Sequence, residues 1–160
     1  QLIHVQNHLS NFAWLYAQIH FREYRCLCCC CVSSDDEIKC SIVVSKTRVA
    51  PLKPVSVPRM ELMASILGLR LSKFVLSEMS LKVKHRFFWT DSKDVLHWLR
   101  SDARKLQQFV TVRIGEILEE SDSSEWRWVA TAQNVADDGT KWNGPPNLNS
   151  DSRWFIFKSS

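Results

Sequence analysis

The sequence predicts a mixed α/β domain in which one sheet is covered by helices. Segments patterned as strands lie before, between and after segments whose apolar residues recur at helical spacing, and such alternation favours layers around one core. The length of 160 residues fits one domain with a full-sized core. A content of 45% apolar against 24% charged residues is typical of a folded globular protein.

The N-terminal part contains a predicted β-hairpin. Residues 25–32 and 38–49 are its strands, and the polar Ser-Ser-Asp-Asp-Glu segment between them is typical of a turn. Residues 1–23 contain apolar side chains without a clear period, so no element is predicted there.

The first predicted helix follows a proline-punctuated loop at residues 50–58. Pro58 stands where a helix can begin, and the amphipathic pattern continues to about Ser77. The apolar residues at helical spacing are Met60, Met63, Ala64, Leu67, Leu71, Phe74 and Val75.

The C-terminal half alternates strands and helices. Residues 83–90 form a predicted strand with Asp91 at its end, and predicted helices cover residues 92–100 and 105–120. The remaining predictions are a strand at 125–130 and a last short helix in the polar segment 134–142.

Charge and hydropathy limit the classes of function. The formal charge of +4 and the pI near 8.8 are compatible with a nucleic-acid partner, although many basic proteins bind none. No apolar stretch approaches the roughly 20 residues that span a bilayer. The first residues lack the pattern of a secretory signal. We therefore expect an intracellular protein without a membrane partner.

The cysteines are concentrated in one short segment. Five of the six are Cys26 and Cys28 to Cys31, and Cys40 stands apart. Neighbouring residues on a strand point to opposite faces, so this run is poorly suited to enclosing a tetrahedral zinc ion or to a spaced disulfide framework. A buried strand of small apolar residues is the favoured interpretation.

Several phrases in one order resemble the BEL/Pao-type retrotransposon family, at the ribonuclease H-like region of its polymerase polyprotein. The resemblance runs from about Ile38 to Phe155. It rests on SKTRVAPLKPVSVPRMELMASILGLRLSKFV, FFWTDSKDVLHWLRS, QFVTVRIGEILEES, WRWVATAQNVADDGTKW and DSRWF. The family also bears the label Pao retrotransposon peptidase, but the sequence has no Asp-Thr-Gly or Asp-Ser-Gly of an aspartic protease.

The resemblance implies a ribonuclease H fold, with a mixed sheet flanked by helices and four carboxylates around two divalent ions. Paired Mg²⁺ ions, roughly 4 Å apart, favour oxygen ligands and can activate water and stabilise the leaving oxygen. By motif, the catalytic and metal-binding carboxylates would be Glu61 in the first turn of the helix, Asp91 at the strand end and Asp137 on the last helix. Asp138 is the reserve for Asp137.

Each carboxylate also has a purely structural interpretation. Glu61 near a helix start could favour the helix dipole, and Asp91 before Ser92 could cap a helix. Asp137 and Asp138 could be solvated loop residues. Taken singly, these interpretations are favoured, and only the agreement of all three motifs with one family favours a site.

The departure from the family lies at its first catalytic aspartate. The family has a Cys-Asp-Ala-Ser-like phrase on the opening strand, whereas QIHFREYRCLCCCCV stands here, with His20 or its neighbours in place of the aspartate. A neutral imidazole cannot supply a bridging anionic oxygen to two Mg²⁺ ions. The two-ion site is therefore expected to be weak or absent, and catalysis to fail.

A shift of reading frame is one hypothesis for this loss, because Ala, Tyr and Val codons read out of frame readily become cysteine codons. The sequence would then divide into an aberrant N-terminal segment (residues 1–34), a ribonuclease H-like domain (35–143) and a C-terminal tail (144–160). A genomic sequence in which no frame restores the aspartate phrase would remove this hypothesis.

Three functions stay open. The leading one is a degenerate ribonuclease H-like fragment whose intact relatives cleave RNA in RNA/DNA hybrids. The second is a non-catalytic nucleic-acid-binding module, and the third is a scaffold beside the reverse transcriptase and integrase regions of the same polyprotein. Candidate phosphate contacts are Lys46, Arg48, Lys93, Arg100, Arg104 and Lys105, and candidate stacking residues are Trp89 and Trp98, although most such charges are merely solvated and most such tryptophans lie in a core.

Overall fold

The computed structural model describes residues 10–20, 23–34, 37–79 and 83–134. Within these ranges the strands are β1 (Ser10–His20), β2 (Glu23–Ser34), β3 (Glu37–Val49), β4 (His85–Thr90) and β5 (Trp126–Trp128). The α-helices are α1 (Val57–Glu78), α2 (Lys93–Leu99) and α3 (Gln108–Glu120), and single 3₁₀ turns occur at residues 103–105, 123–125 and 131–133.

The five strands form one mixed sheet in the order β3-β2-β1-β4-β5. The first three strands are antiparallel, whereas β4 runs parallel to β1 and β5 runs parallel to β4. Parallel neighbours need a crossover connection, and α1 provides it between β3 and β4. The parallel register places Ala17 opposite Thr90, so the carboxyl ends of β1 and β4 lie at the same edge of the sheet.

The main core lies between the sheet and α1. The helix starts with proline in its first turn, where a missing N–H costs nothing, and packs against β1 and β2. Leu62 and Leu69 are fully buried on its inner side. Cys26 and Cys28, two residues apart on β2 and therefore on one face, belong to the same cluster. For these two residues, the interpretation as a buried strand is confirmed.

The same core extends to β4, β5 and α3. The Phe88 and Trp126 rings stack with centroids 4.4 Å apart, and both side chains are nearly inaccessible to solvent. Three buried residues of α3 complete this cluster, namely Val110, Ile114 and Ile117. Outside it, Arg70 pairs with Glu116 and Lys73 with Glu120 across the exposed rim of α1 and α3.

Most predicted elements are confirmed, with shifted ends. The hairpin, α1 and the strand before Asp91 are present, and α3 begins only at Gln108 because a separate 3₁₀ turn covers residues 103–105. Residues 1–23, where the sequence predicts no element, include β1. This strand lies in the middle of the sheet, where the alternation typical of a half-exposed strand is not required. The predicted last helix at 134–142 lies outside the described residues, apart from Asn134.

Candidate functional site

Glu61 lies on α1 and faces the end of β4. The prediction that it occupies the first turn is wrong, because α1 begins at Val57 and its first turn contains no acidic residue. The favourable dipole interaction expected for a first-turn carboxylate therefore does not explain it. Instead, the Ser92 hydroxyl donates a hydrogen bond to Glu61 Oε2 at 2.5 Å, which links α1 to the segment after β4.

Asp91 follows the last residue of β4 directly and is half-buried. The alternative role of helix cap belongs to its neighbour, because the N-cap of α2 is Ser92, whose hydroxyl accepts a hydrogen bond from the Val95 N–H at 3.2 Å. The N-cap interpretation of Asp91 is therefore wrong.

The carboxylates of Glu61 and Asp91 interact electrostatically. Burial raises the pKa of Glu61 above its ordinary value, and the negative charges of Asp91 and Asp94 raise it further, while the hydrogen bond from Ser92 opposes the shift. Two of the three predicted site residues are thus close enough to interact. Asp94 was missed by the motif comparison, although its place in the first turn of α2, three residues after Asp91, is a signal that could have revealed it.

The remaining predicted carboxylates cannot be placed beside this pair. Asp137 and its reserve Asp138 lie outside the described residues, and their roles stay predictions.

The edge of the sheet beside Asp91 carries no carboxylate from β1. The strand reads SNFAWLYAQIH, without Asp or Glu. Its register with β4 places Ala17 opposite Thr90, the residue before Asp91. Ala17 and Gln18 are therefore the β1 residues level with the end of β4. His20, which with its neighbours stands in place of the family's aspartate by sequence, lies three residues beyond Ala17 in β1.

Within the part of the chain that the structure describes, no three side chains of His, Cys, Asp or Glu come close enough together to hold a metal ion. In the cysteine segment, burial raises the pKa of the Cys26 thiol to about 12. A thiol that keeps its proton is a poor ligand, since metals bind the thiolate.

The candidate nucleic-acid contacts differ in accessibility. The six predicted phosphate contacts all have exposed side chains. Trp98 packs against the core, and Trp89 is half-buried with the Arg127 guanidinium 5.8 Å from its ring centre. The tryptophan that the sequence reasoning missed is Trp128, which is 47% exposed and lies at the end of β5. Its indole Nε1–H donates to the Asp91 carbonyl oxygen at 3.3 Å.

None of the helices in the described ranges is long and apolar enough to cross a membrane.

Comparison with known proteins supports the fold and the family resemblance. Residues 21–92 match the model of the Pao retrotransposon-like RNaseH-like domain family. Among solved structures, LC11-RNase H1 in complex with an RNA/DNA hybrid is similar with a TM-score of 0.50 and 7% identity, over 81% of this chain and 91% of that chain. The RNase H1 of Halobacterium salinarum NRC-1 has a TM-score of 0.46 and 17% identity, over 78% of this chain and 88% of that one.

At these identities the structural likeness concerns the fold alone. No curated protein sequence matches the chain. The family match begins at the β-hairpin and ends just after Asp91, so it includes Glu61 and the end of β4. The chain therefore has a ribonuclease H-like fold, and its residues 21–92 are similar to the Pao retrotransposon-like RNaseH-like domain family.

Proposed function

We propose that this chain is a degenerate ribonuclease H-like domain of a retrotransposon polyprotein, which binds RNA/DNA hybrids without cleaving the RNA strand. The polyprotein would also contain reverse transcriptase and integrase regions and act inside the cell. The observation that carries the proposal is the sheet edge at Asp91, where Glu61 and Asp91 interact but β1 offers Ala17 and Gln18 instead of an acidic residue.

The loss of catalysis follows from the chemistry of the ligands. Two Mg²⁺ ions held roughly 4 Å apart need several anionic oxygens, including one that both ions can share. Methyl and carboxamide groups at Ala17 and Gln18 supply no negative charge. Glu61 and Asp91, together with Asp137 as the proposed third carboxylate, would bind one divalent ion weakly.

Hybrid binding is proposed because exposed cations lie on α2, the helix that follows the acidic edge. Lys93 and Arg100 stand at the two ends of α2, which begins two residues after Asp91, and both are exposed. Exposed lysine and arginine contribute to nucleic-acid affinity by displacing counterions from phosphates. The similar LC11 enzyme was solved with an RNA/DNA hybrid, which suggests the same class of ligand here.

The aberrant segment at residues 1–34 is proposed to derive from a shifted reading frame, upstream of a ribonuclease H-like domain at 35–143 and a tail at 144–160. In the structure, β1 and β2 occupy positions in the sheet while lacking the aspartate phrase. Genomic sequencing across these codons is the direct test. An alternative frame with an Asp-Ala-Ser phrase would support the proposal, and three frames without it would refute it.

The binding proposal is tested by fluorescence anisotropy with a labelled blunt RNA/DNA hybrid and the full chain. We expect affinity to fall steeply as salt increases, and Lys93→Ala to reduce the salt slope by about 1. Lys73→Ala is the matched control, because this substitution removes the same positive charge at a different place. Lys73 lies on the α1–α3 rim, where it pairs with Glu120. Absence of hybrid binding at low salt would refute the proposed function.

A further inference from the structure

We infer that Trp128 and Lys93 form a contact site for an unpaired nucleotide beside Asp91. This inference rests on the proposed function, because its ligand is a nucleic acid, and it adds a preference for a junction between hybrid and single strand. The Lys93 ammonium lies 5.2 Å from the centre of the Trp128 ring, and the indole N–H is bonded to the Asp91 carbonyl oxygen.

The position of Trp128 explains why its ring is accessible. Trp126 and Trp128 are two residues apart on β5 and share a face of the strand. Trp126 is 1% exposed and stacks on Phe88, whereas Trp128 is the last residue of the strand and lies beyond this buried layer. Among the tryptophans whose side chains the structure describes, Trp128 is the most exposed.

The ring is also held in one orientation. The indole has a single hydrogen-bond donor, and it is used by the Asp91 carbonyl oxygen at 3.3 Å. A polar ligand therefore has no free donor to recognise, and the flat aromatic face is what remains. Aromatic side chains of this kind stack on nucleobases with little preference for sequence.

The base that stacks there must be unpaired. Within a duplex, both faces of each internal base are covered by its neighbours, so a protein ring reaches the face of an internal base only at a bulge or a single-stranded flank. Lys93 is exposed and can contact the phosphate of the same nucleotide. An exposed cation–π contact is weak compared with base stacking, so the ammonium can leave the ring.

A cationic ligand fits this site less well, although carboxylates lie nearby. Lys93 already lies against the ring, and its charge would repel a second cation placed on the same aromatic surface. A nucleotide instead uses both groups, since its base meets the ring and its phosphate meets the ammonium.

The test compares two labelled probes with the full chain: a blunt RNA/DNA hybrid and the same hybrid with a short single-stranded RNA overhang. We expect the overhang probe to bind roughly tenfold more tightly than the blunt one. Trp128→Ala should abolish this difference, so that the two probes bind with equal affinity. Trp128→Phe should keep most of the difference, because it retains a ring, and circular dichroism verifies that both variants fold.

Phe74→Ala is the matched control, since Phe74 is an exposed aromatic residue on α1. It should leave both affinities unchanged. Equal binding of the two probes, or a preference that persists in folded Trp128→Ala, overturns this inference alone. A failure of the blunt hybrid to bind refutes the proposed function, and binding of neither probe refutes both.

Discussion

The hydroxyl of Ser92 donates to Glu61 Oε2 at 2.5 Å and accepts from the Val95 N–H at 3.2 Å. A serine hydroxyl has one donor and two acceptor lone pairs, so both bonds can exist together. The Ser92 backbone N–H donates to Thr90 Oγ1 at 3.2 Å as well. One buried residue therefore joins the end of β4, the start of α2 and the carboxylate of α1.

Replacing Ser92 by alanine should destabilise the protein by about 1 kcal/mol or somewhat more, because it removes a helix cap and a partner of half-buried Glu61. The measurement is the free energy of unfolding by chemical denaturation. Ser56→Ala is the matched control, since Ser56 is the N-cap of α1 but makes no side-chain capping bond. Equal losses in the two variants would show that the Ser92 hydroxyl is not the cause.

The raised pKa of Glu61 predicts a particular dependence of stability on pH. Above the ordinary pKa of 4.5, the unfolded state loses this proton while the folded state retains it over some further range, so stability falls as pH rises through that window. Glu61→Gln stays neutral and can still accept the Ser92 hydrogen bond. Its melting temperature should exceed that of the unsubstituted protein at neutral pH, and the difference should shrink as pH falls below 4.5.

This comparison is made without divalent ions, so that only protons are exchanged. Glu119→Gln, at an exposed position of α3, controls for the loss of one negative charge. A stability difference for Glu61→Gln that does not change with pH would show that Glu61 has no raised pKa.

The stacked pair Phe88 and Trp126 joins β4 to β5 and should dominate the stability of this end of the core. Phe88→Ala is expected to cost about 3–5 kcal/mol, since a large buried ring leaves a cavity. Phe74→Ala, at a position 60% exposed, should change the free energy of unfolding by less than about 0.5 kcal/mol. Similar losses for both residues in denaturant titrations would contradict the described core.

Cys26 should resist alkylation in the folded protein. Its pKa of about 12, against an ordinary value of 9.0, leaves about a thousandfold less thiolate, and the buried thiol donates to the Lys46 carbonyl oxygen at 3.7 Å. Mass spectrometry of peptides after brief treatment with a thiol reagent measures this protection. The same treatment in denaturant is the control. Rapid modification of Cys26 without denaturant would mean that β2 is not part of an ordered sheet.

The sequence predicts those parts of the fold that depend on local patterns. The apolar spacing of α1, the two strands β2 and β3 on either side of a polar segment, and the strand before Asp91 are readable from neighbouring residues. The strand β1 is not, because its place beside β4 is fixed by a pairing between residues far apart in the chain. Its register is also what locates Ala17 at the acidic edge.

The site was predictable only in part for the same reason. The motif resemblance singled out Glu61 and Asp91, and the structure brings their charges together. The link through Ser92 joins residues 31 positions apart, and no local pattern reveals it. Trp128 looks like a second buried residue beside Trp126 by strand alternation, and its exposure depends on where the core ends.

The most direct test of the central claim is cleavage of an end-labelled RNA/DNA hybrid by the full chain in the presence of Mg²⁺. Because β1 supplies no carboxylate beside Asp91, we predict product at background for both the unsubstituted protein and Asp91→Asn, while an intact ribonuclease H cleaves the same probe. Metal-dependent cleavage by the unsubstituted protein that Asp91→Asn abolishes would contradict the claim and show that the remaining carboxylates suffice.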